Sequence, residues 1–154
     1  MNKVLKLIVS IAVSFLAGGI GSLATMPNIA SWYAELDKPA LIPPNEVFGP
    51  VWTTLYLLMG ISLYLVWTAK RPATQNAYIF FGTQLALNTL WSVVFFGLHL
   101  PWIGVIVIVL LLAGIIMTMR EFAKSSRVAM LLLLPYLLWV GFATYLTIGV
   151  AVLN

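Results

Sequence analysis

Charge is what this sequence has least of. Its 154 residues carry eight basic and four acidic side chains, 8% of the total, where a soluble domain has about 25%. Cysteine is absent, and histidine occurs once. The first absence excludes disulfide frameworks, thiolate chemistry and iron–sulfur ligation. One histidine and four carboxylates make too poor a donor set for a transition-metal site, so no metal is expected. A Ser/His/Asp set, a mid-membrane carboxylate pair and a phosphate-binding loop are all missing, so no catalytic residue is assigned from the residues themselves.

What is present is apolar. Hydrophobic residues make up 62% of the chain, and mean hydropathy is +1.06. So little polar surface cannot cover a globule in water, which excludes a cytosolic enzyme or a nucleic-acid reader and points to an all-α integral membrane protein. The net charge of +4 does not argue for nucleic acid, because the charges follow membrane topology.

Backbone amides must be satisfied within a bilayer, so apolar runs of about 20 residues read as helices. Five are expected, at 4–26, 47–68, 77–97, 101–119 and 128–150, in a single domain covering 1–154. Pro27 follows the first, Lys70-Arg71-Pro72 separates the second from the third, and Pro101 opens the fourth. Lys3, Lys6, Lys70, Arg71, Arg120, Lys124 and Arg127 fall on one side, and Lys38 alone on the other. By the positive-inside rule the N-terminus is cytoplasmic, and the C-terminus and the 27–46 link lie outside. Residues 1–24 also resemble a secretory signal, but the apolar stretch is longer than such signals carry, and an uncleaved first helix is favoured. The 27–46 link is long enough to suggest a task of its own.

Polar groups are costly in lipid, so their positions inform. Thr83, Gln84, Asn88, Thr89 and Ser92 lie in the third span. Gln84, Asn88, Trp91 and Phe95 recur at helical spacing and form a stripe that must face protein or a ligand. Interhelical hydrogen bonding and ligand contact both fit it. Trp52 and Tyr56 share a face of the second span. Of the six tryptophans, Trp67 and Trp102 suit an interfacial belt. Trp139, about 16 Å into the fifth span, suits it poorly and needs a partner for its indole N–H. At about 1.5 Å per residue, Trp52, Tyr56, Asn88, Trp91, Trp139 and Ala143 all lie between about 8 and 16 Å below the outer ends of their helices. They could line one pocket, although depth alone does not make them face each other. Pro135 should kink the fifth span and free the Leu131 carbonyl. Small residues repeat at Ser14-Gly18-Ser22, Ala17-Gly21 and Ala143-Thr147-Ala151, and internal packing is their favoured use over a dimer interface. His99 reads as a solvated turn residue. No intramembrane ionisable group suits an ion-driven pump.

The motifs resemble a family when read together. The outer loop carries Trp32-Tyr33, Leu36, Lys38-Pro39 and Pro43-Pro44, and the second span opens Val47-Phe48-Gly49-Pro50-Val51-Trp52 and continues Leu55-Tyr56. The third span reads Gln84-Leu85-Ala86-Leu87-Asn88, Trp91 and Phe95-Phe96-Gly97. The fifth reads Pro135-Tyr136-Leu137-Leu138-Trp139, Phe142-Ala143-Thr144 and Leu146. From Gly21 to Leu146 this order and spacing closely resembles the tryptophan-rich sensory protein, translocator protein or peripheral-type benzodiazepine receptor family (TspO/MBR).

The resemblance implies a five-helix bundle, a homodimer, in a bacterial cell membrane or an outer mitochondrial membrane. It implies no obligatory cofactor, and binding of porphyrins such as protoporphyrin IX and haem, of sterols and of synthetic ligands, beneath the first loop. By motif the pocket residues are Trp52, Asn88, Trp91, Trp139 and Ala143, with Tyr33 from the lid and Gly21-Ser22 from the first span. Tyr56, Gln84 and Phe95 join them from the residue pattern. Lys38 is the candidate partner for porphyrin propionates. The function expected first is a porphyrin-binding receptor or transporter. The alternatives are a light-dependent porphyrin-degrading enzyme using Trp52 and Trp139, and a ligand-responsive sensor or scaffold with the basic 120–127 link as its cytoplasmic handle. Three positions depart from the family's pattern. Ala40-Leu41 stand where tryptophan is usual, Thr147 where asparagine is, and no basic residue follows Tyr145, so the proposed sterol pattern is unmatched.

Overall fold

Local signals set where each helix begins. In the computed structural model, which describes residues 2–154, Asn2 caps the first helix by accepting from the Leu5 N–H at 2.8 Å. Thr74 does the same for Ala77, and Ser126 for Ala129. Pro101 occupies the first turn of its helix, where a missing N–H costs nothing. The elements are α1 (Lys3–Ile29), a short α2 (Trp32–Glu35), α3 (Asn45–Trp67), α4 (Gln75–Ser92) continuing into a π-helical turn (Val93–Gly97), α5 (Pro101–Ser125), α6 (Arg127–Leu132) and α7 (Leu134–Leu153). Among the described residues five stretches are long and apolar enough to cross a membrane, with α4 plus its π turn and α6 plus α7 each counting as one. The chain is an all-α, multi-pass membrane bundle.

Its radial order is that of a membrane protein. Gln84, Asn88, Ser62 and Thr147 are buried, while Leu23, Trp102, Leu138 and Val152 face outward. Around the bundle, α1 packs on α3 and α4, α4 on α5, and α5 on α6 and α7. The ring closes through α6 against α3, whereas α3 and α7 barely touch. Ser62 ties α3 to α6 by donating to the Ala129 carbonyl at 2.7 Å, and Thr89 ties α4 to α1 by donating to the Ala17 carbonyl at 2.9 Å. Fully buried Met59, Ile108, Leu111, Ile115, Phe122 and Tyr136 fill the centre.

The small-residue ladders serve this packing. A Cβ on Gly60 would sit 2.7 Å from the Ile11 Cα, and one on Gly21 would sit 3.1 Å from the Ser92 hydroxyl. Gly18 leaves room for the Tyr56 ring. Ala143, Thr147 and Ala151 are buried inside the chain's own bundle.

Three features differ from expectation. Pro27 lies inside α1 rather than after it. The basic 120–127 segment is helical except at Ser126. There Glu121 accepts from Lys124 one turn on and from Thr74 across the bundle, so one of the three basic residues of that segment is paired. Pro135 begins a new helix instead of kinking a continuous one, because the turn at Leu133 has already broken the ladder.

Candidate functional site

Midway along the bundle a polar chain lies inside an aromatic shell. Tyr56 on α3 donates to Asn88 Oδ1 at 2.5 Å, and Asn88 Nδ2 donates to the Tyr136 hydroxyl at 3.2 Å. The Tyr136 hydroxyl donates to Gln84 Oε1 at 2.8 Å, and Gln84 Nε2 points at the Met59 sulfur at 3.9 Å. The stripe on α4 is therefore interhelical glue in this state. Helices α3 and α7 supply its partners, and its capacity is nearly used up.

Aromatic rings continue outward from this chain. Trp52 stacks on Tyr56 at 5.6 Å and lies 6.5 Å from Trp91 and 6.3 Å from Tyr136. Trp91 stacks on Phe95 at 5.7 Å and meets Phe96 edge-on at the same distance. Two successive phenylalanines reach one tryptophan because the π turn reduces the rotation between neighbouring side chains.

The 27–46 link folds over this cluster as a lid. Tyr33, buried on α2, lies 6.3 Å from Phe95 and 5.4 Å from Phe96, and burial pushes its phenol above the usual tyrosine range. Trp32 stacks on His99 at 4.4 Å, and the His99 ring is 2.9 Å from the Asn28 Oδ1. Asn28 Nδ2 donates to Ala24, so Oδ1 is the free acceptor and His99 Nε2 carries the proton. His99 is exposed, as expected, yet it joins α1, the lid and the α4–α5 turn. It does so from a left-handed backbone, φ 56°.

The lid's far end is fastened to α7. Asn154 accepts from the Asp37 N–H at 3.0 Å and donates to the Asp37 carbonyl at 2.9 Å. Tyr145 donates to the Ala40 carbonyl at 2.8 Å. Pro39 lies on Gly149 so closely that a Cβ there would sit 2.5 Å from its Cγ. Lys38 spends its ammonium on the Ala34 and Leu36 carbonyls at 3.1 and 3.0 Å and lies over the Tyr33 ring. It holds the loop's shape, and little of it is left to meet a propionate.

The structure brings Tyr33, Trp52, Tyr56, Gln84, Asn88, Trp91 and Phe95 into one continuous cluster. Gly21 and Ser22 stand apart at the α1–α4 side, where Ser22 turns back to the Gly19 carbonyl. Ala143 is buried on α7. Trp139 belongs to a different surface. Its ring neighbours are Phe48 and Phe142, and it lines a groove of about 590 Å³ between α3 and α7 with Val51, Thr54, Leu138 and Phe142.

Among the described residues the buried polar side-chain atoms without a hydrogen-bond partner are Ser10 Oγ and the indole nitrogens of Trp91 and Trp139. No group of three His, Cys, Asp or Glu that could hold a metal occurs among them either.

Residue reasoning did not place Tyr136 in the site, although it is the hub of the polar chain. The available signal was a phenol deep in an apolar span, which must find a partner. Trp32, Phe48 and Phe96 were passed over as well.

A model of the TspO/MBR family matches residues 10–153. The tryptophan-rich protein TspO of Archaeoglobus fulgidus is 42% identical over 152 residues, 99% of each chain. That of Chlorobaculum tepidum is 43% identical over 160 aligned positions, covering 100% of this chain and 99% of the relative. The human translocator protein is 40% identical over 118 residues, 75% of this chain and 70% of its own.

Proposed function

This chain belongs to the TspO/MBR family, and from that premise we propose that it is a membrane receptor or carrier for porphyrins. The ring of protoporphyrin IX or haem would lie among the aromatic side chains beneath the lid. The observation that carries this reading is the buried, unpartnered indole N–H of Trp91 within the aromatic cluster beneath the lid. A buried donor without a partner costs about 1–3 kcal/mol. A polar ligand atom can satisfy such a donor, and the bundle's own side chains do not.

The surrounding chemistry supports a flat apolar guest. Trp52, Trp91, Phe95 and Phe96 offer stacking faces, while Gln84 and Asn88 are already engaged with Tyr136. An apolar slot with few polar anchors suits a tetrapyrrole. The N-terminus lies on the cytoplasmic side of a bacterial cell membrane in this reading, since seven of the eight basic residues cluster at the end of the bundle where α1 begins. The protein acts as a homodimer.

The test is a titration of protoporphyrin IX into the purified protein in darkness, followed by absorbance and run beside Trp139→Phe and Ala143→Leu. Saturable red-shifting of the porphyrin band by the wild type, weakened in both variants, is the expected result. No shift beyond an empty-detergent control removes the porphyrin. Under illumination the spectrum stays constant, and a protein-dependent loss of the band would assign chemistry instead of binding.

A further inference from the structure

A ligand held beneath the lid needs a way in. The outer mouth is obstructed at both ends of the lid. At one end Trp32 and Tyr33 press on His99, Phe95 and Phe96. At the other, Asp37, Pro39 and Ala40 are fastened to Asn154, Gly149 and Tyr145. Among the described residues the long helices that neighbour each other around the bundle pack along their lengths, but α3 and α7 diverge. There the groove of about 590 Å³ opens outward between Pro50, Val51 and Thr54 on one side and Leu138, Trp139 and Phe142 on the other. On α3 it spans about 8–20 Å below the outer helix end, which is hydrocarbon depth. No charged side chain lines it. Trp139 lines it with a half-buried ring, and its indole N–H is buried and unpartnered.

We propose that the α3–α7 groove is a lateral port through which the porphyrin ring passes from the outer leaflet into the bundle, with Trp139 as its swinging wall, while the lid stays fastened. This rests on the porphyrin reading above. The neutral apolar lining admits the ring edge-first and leaves the charged propionates trailing at the membrane surface. Trp139 turns as the ring passes, and its N–H finds an acceptor on the guest. The unpartnered indole is the independent sign that this wall is built for something other than lipid chains, which offer it no acceptor at that depth.

Because the chain has no native cysteine, lid and groove can be closed separately. An ideal Cβ on Gly149 lies 2.6 Å from the Pro39 Cβ, so Pro39→Cys/Gly149→Cys can form a disulfide after a shift of about 1 Å. The reduced form of the same variant is its own control. If that pair does not fold, Ala40→Cys/Tyr145→Cys joined by a short bismaleimide staples the same strap. The groove is filled by Leu138→Trp and, separately, Thr54→Trp, both at outward-facing positions.

Association of protoporphyrin IX is followed by stopped-flow absorbance in phosphatidylcholine nanodiscs, with equilibrium affinity measured in parallel. The expected result is an association rate within twofold of wild type for the oxidised staple. The groove-filling variants should bind at least tenfold more slowly, with a matching slowing of dissociation and unchanged affinity. Slowing by the staple, or none by the fillings, overturns the port. Loss of affinity rather than rate in Leu138→Trp makes the groove the binding site itself and also overturns it. Wild type that binds no porphyrin removes the underlying reading, and the port with it.

Discussion

Tyr56 on α3 donates a hydrogen bond to Asn88 Oδ1 on α4 at 2.5 Å, across the middle of the bundle. That bond starts a chain of hydrogen bonds through Tyr136 to Gln84 which joins three helices. Asn88 thereby uses its carbonyl on Tyr56 and one amide hydrogen on Tyr136. The chain of bonds is the bundle's internal brace, and the aromatic cluster is built on its outer side.

Removing the hub exposes this brace. Tyr136→Phe takes away one donor and one acceptor at once and leaves Asn88 Nδ2 and Gln84 Oε1 unmatched. The expected loss is about 1 kcal/mol, in keeping with hydrogen bonds measured between membrane helices. Thermal unfolding in detergent checks it. Combining Tyr136→Phe with Gln84→Leu should cost less than the sum of the two, since they are each other's hydrogen-bond partners.

Trp91→Phe separates a structural tryptophan from a ligand-facing one. The indole N–H is buried and unsatisfied, so losing it offsets part of the packing that the smaller ring gives up, and thermal stability falls only slightly. Porphyrin affinity falls about tenfold if the N–H meets the guest, equivalent to about 1.4 kcal/mol. A clear drop in stability would show instead that the indole holds the bundle together.

Two glycines should respond in opposite ways to the same change. Gly60→Ala drives a methyl against the Ile11 backbone and costs about 1–3 kcal/mol by forcing α1 from α3. Gly19→Ala, with open space around it, gains a few tenths of a kcal/mol up to about 1 from helix propensity. Paired melting curves in one detergent are sufficient.

The lid has a pH limit. Burial raises the Tyr33 phenol above its ordinary value, so the folded state holds this proton more tightly than the unfolded one. The contribution is intact below the ordinary tyrosine value of about 10 and is lost as pH rises through the folded value. Protease cleavage within the lid should therefore accelerate above about pH 10 in wild type. In Tyr33→Phe that acceleration should be absent. Equal alkaline sensitivity in both would place the weak point elsewhere.

The spans were legible because hydropathy reports directly on the solvent a helix meets. Their ends were less so. Residues 120–125 continue α5 beyond the apolar run, because charge removes a segment from hydrocarbon without preventing it from being helical. Pro135 was legible as a breaker, but the turn at Leu133 precedes it and takes the break. The site divides in the same way. Gln84 and Asn88 declared themselves as a stripe on one helix. Tyr136 did not, because its partners are on α4 and the rotation of α7 is set by packing rather than by spacing. Trp139 had the right depth, yet its ring faces Phe48 and the groove instead of the Trp52–Trp91 cluster. Spacing along a chain gives height in the membrane, and only the packed bundle gives direction.

The π-helical turn at Val93–Gly97 bears on how members of this group diverge. A helix that widens here carries a residue that an ordinary α-helical turn would not accommodate. A relative that lost that residue would still complete its third span and reach the next turn, so the change would be mild for folding. It would also swing one of the two phenylalanines away from Trp91 and Tyr33. Single-residue insertions and deletions at this point would therefore re-aim the Phe95–Phe96 pair against Trp91 while leaving the packing of the other helices in place.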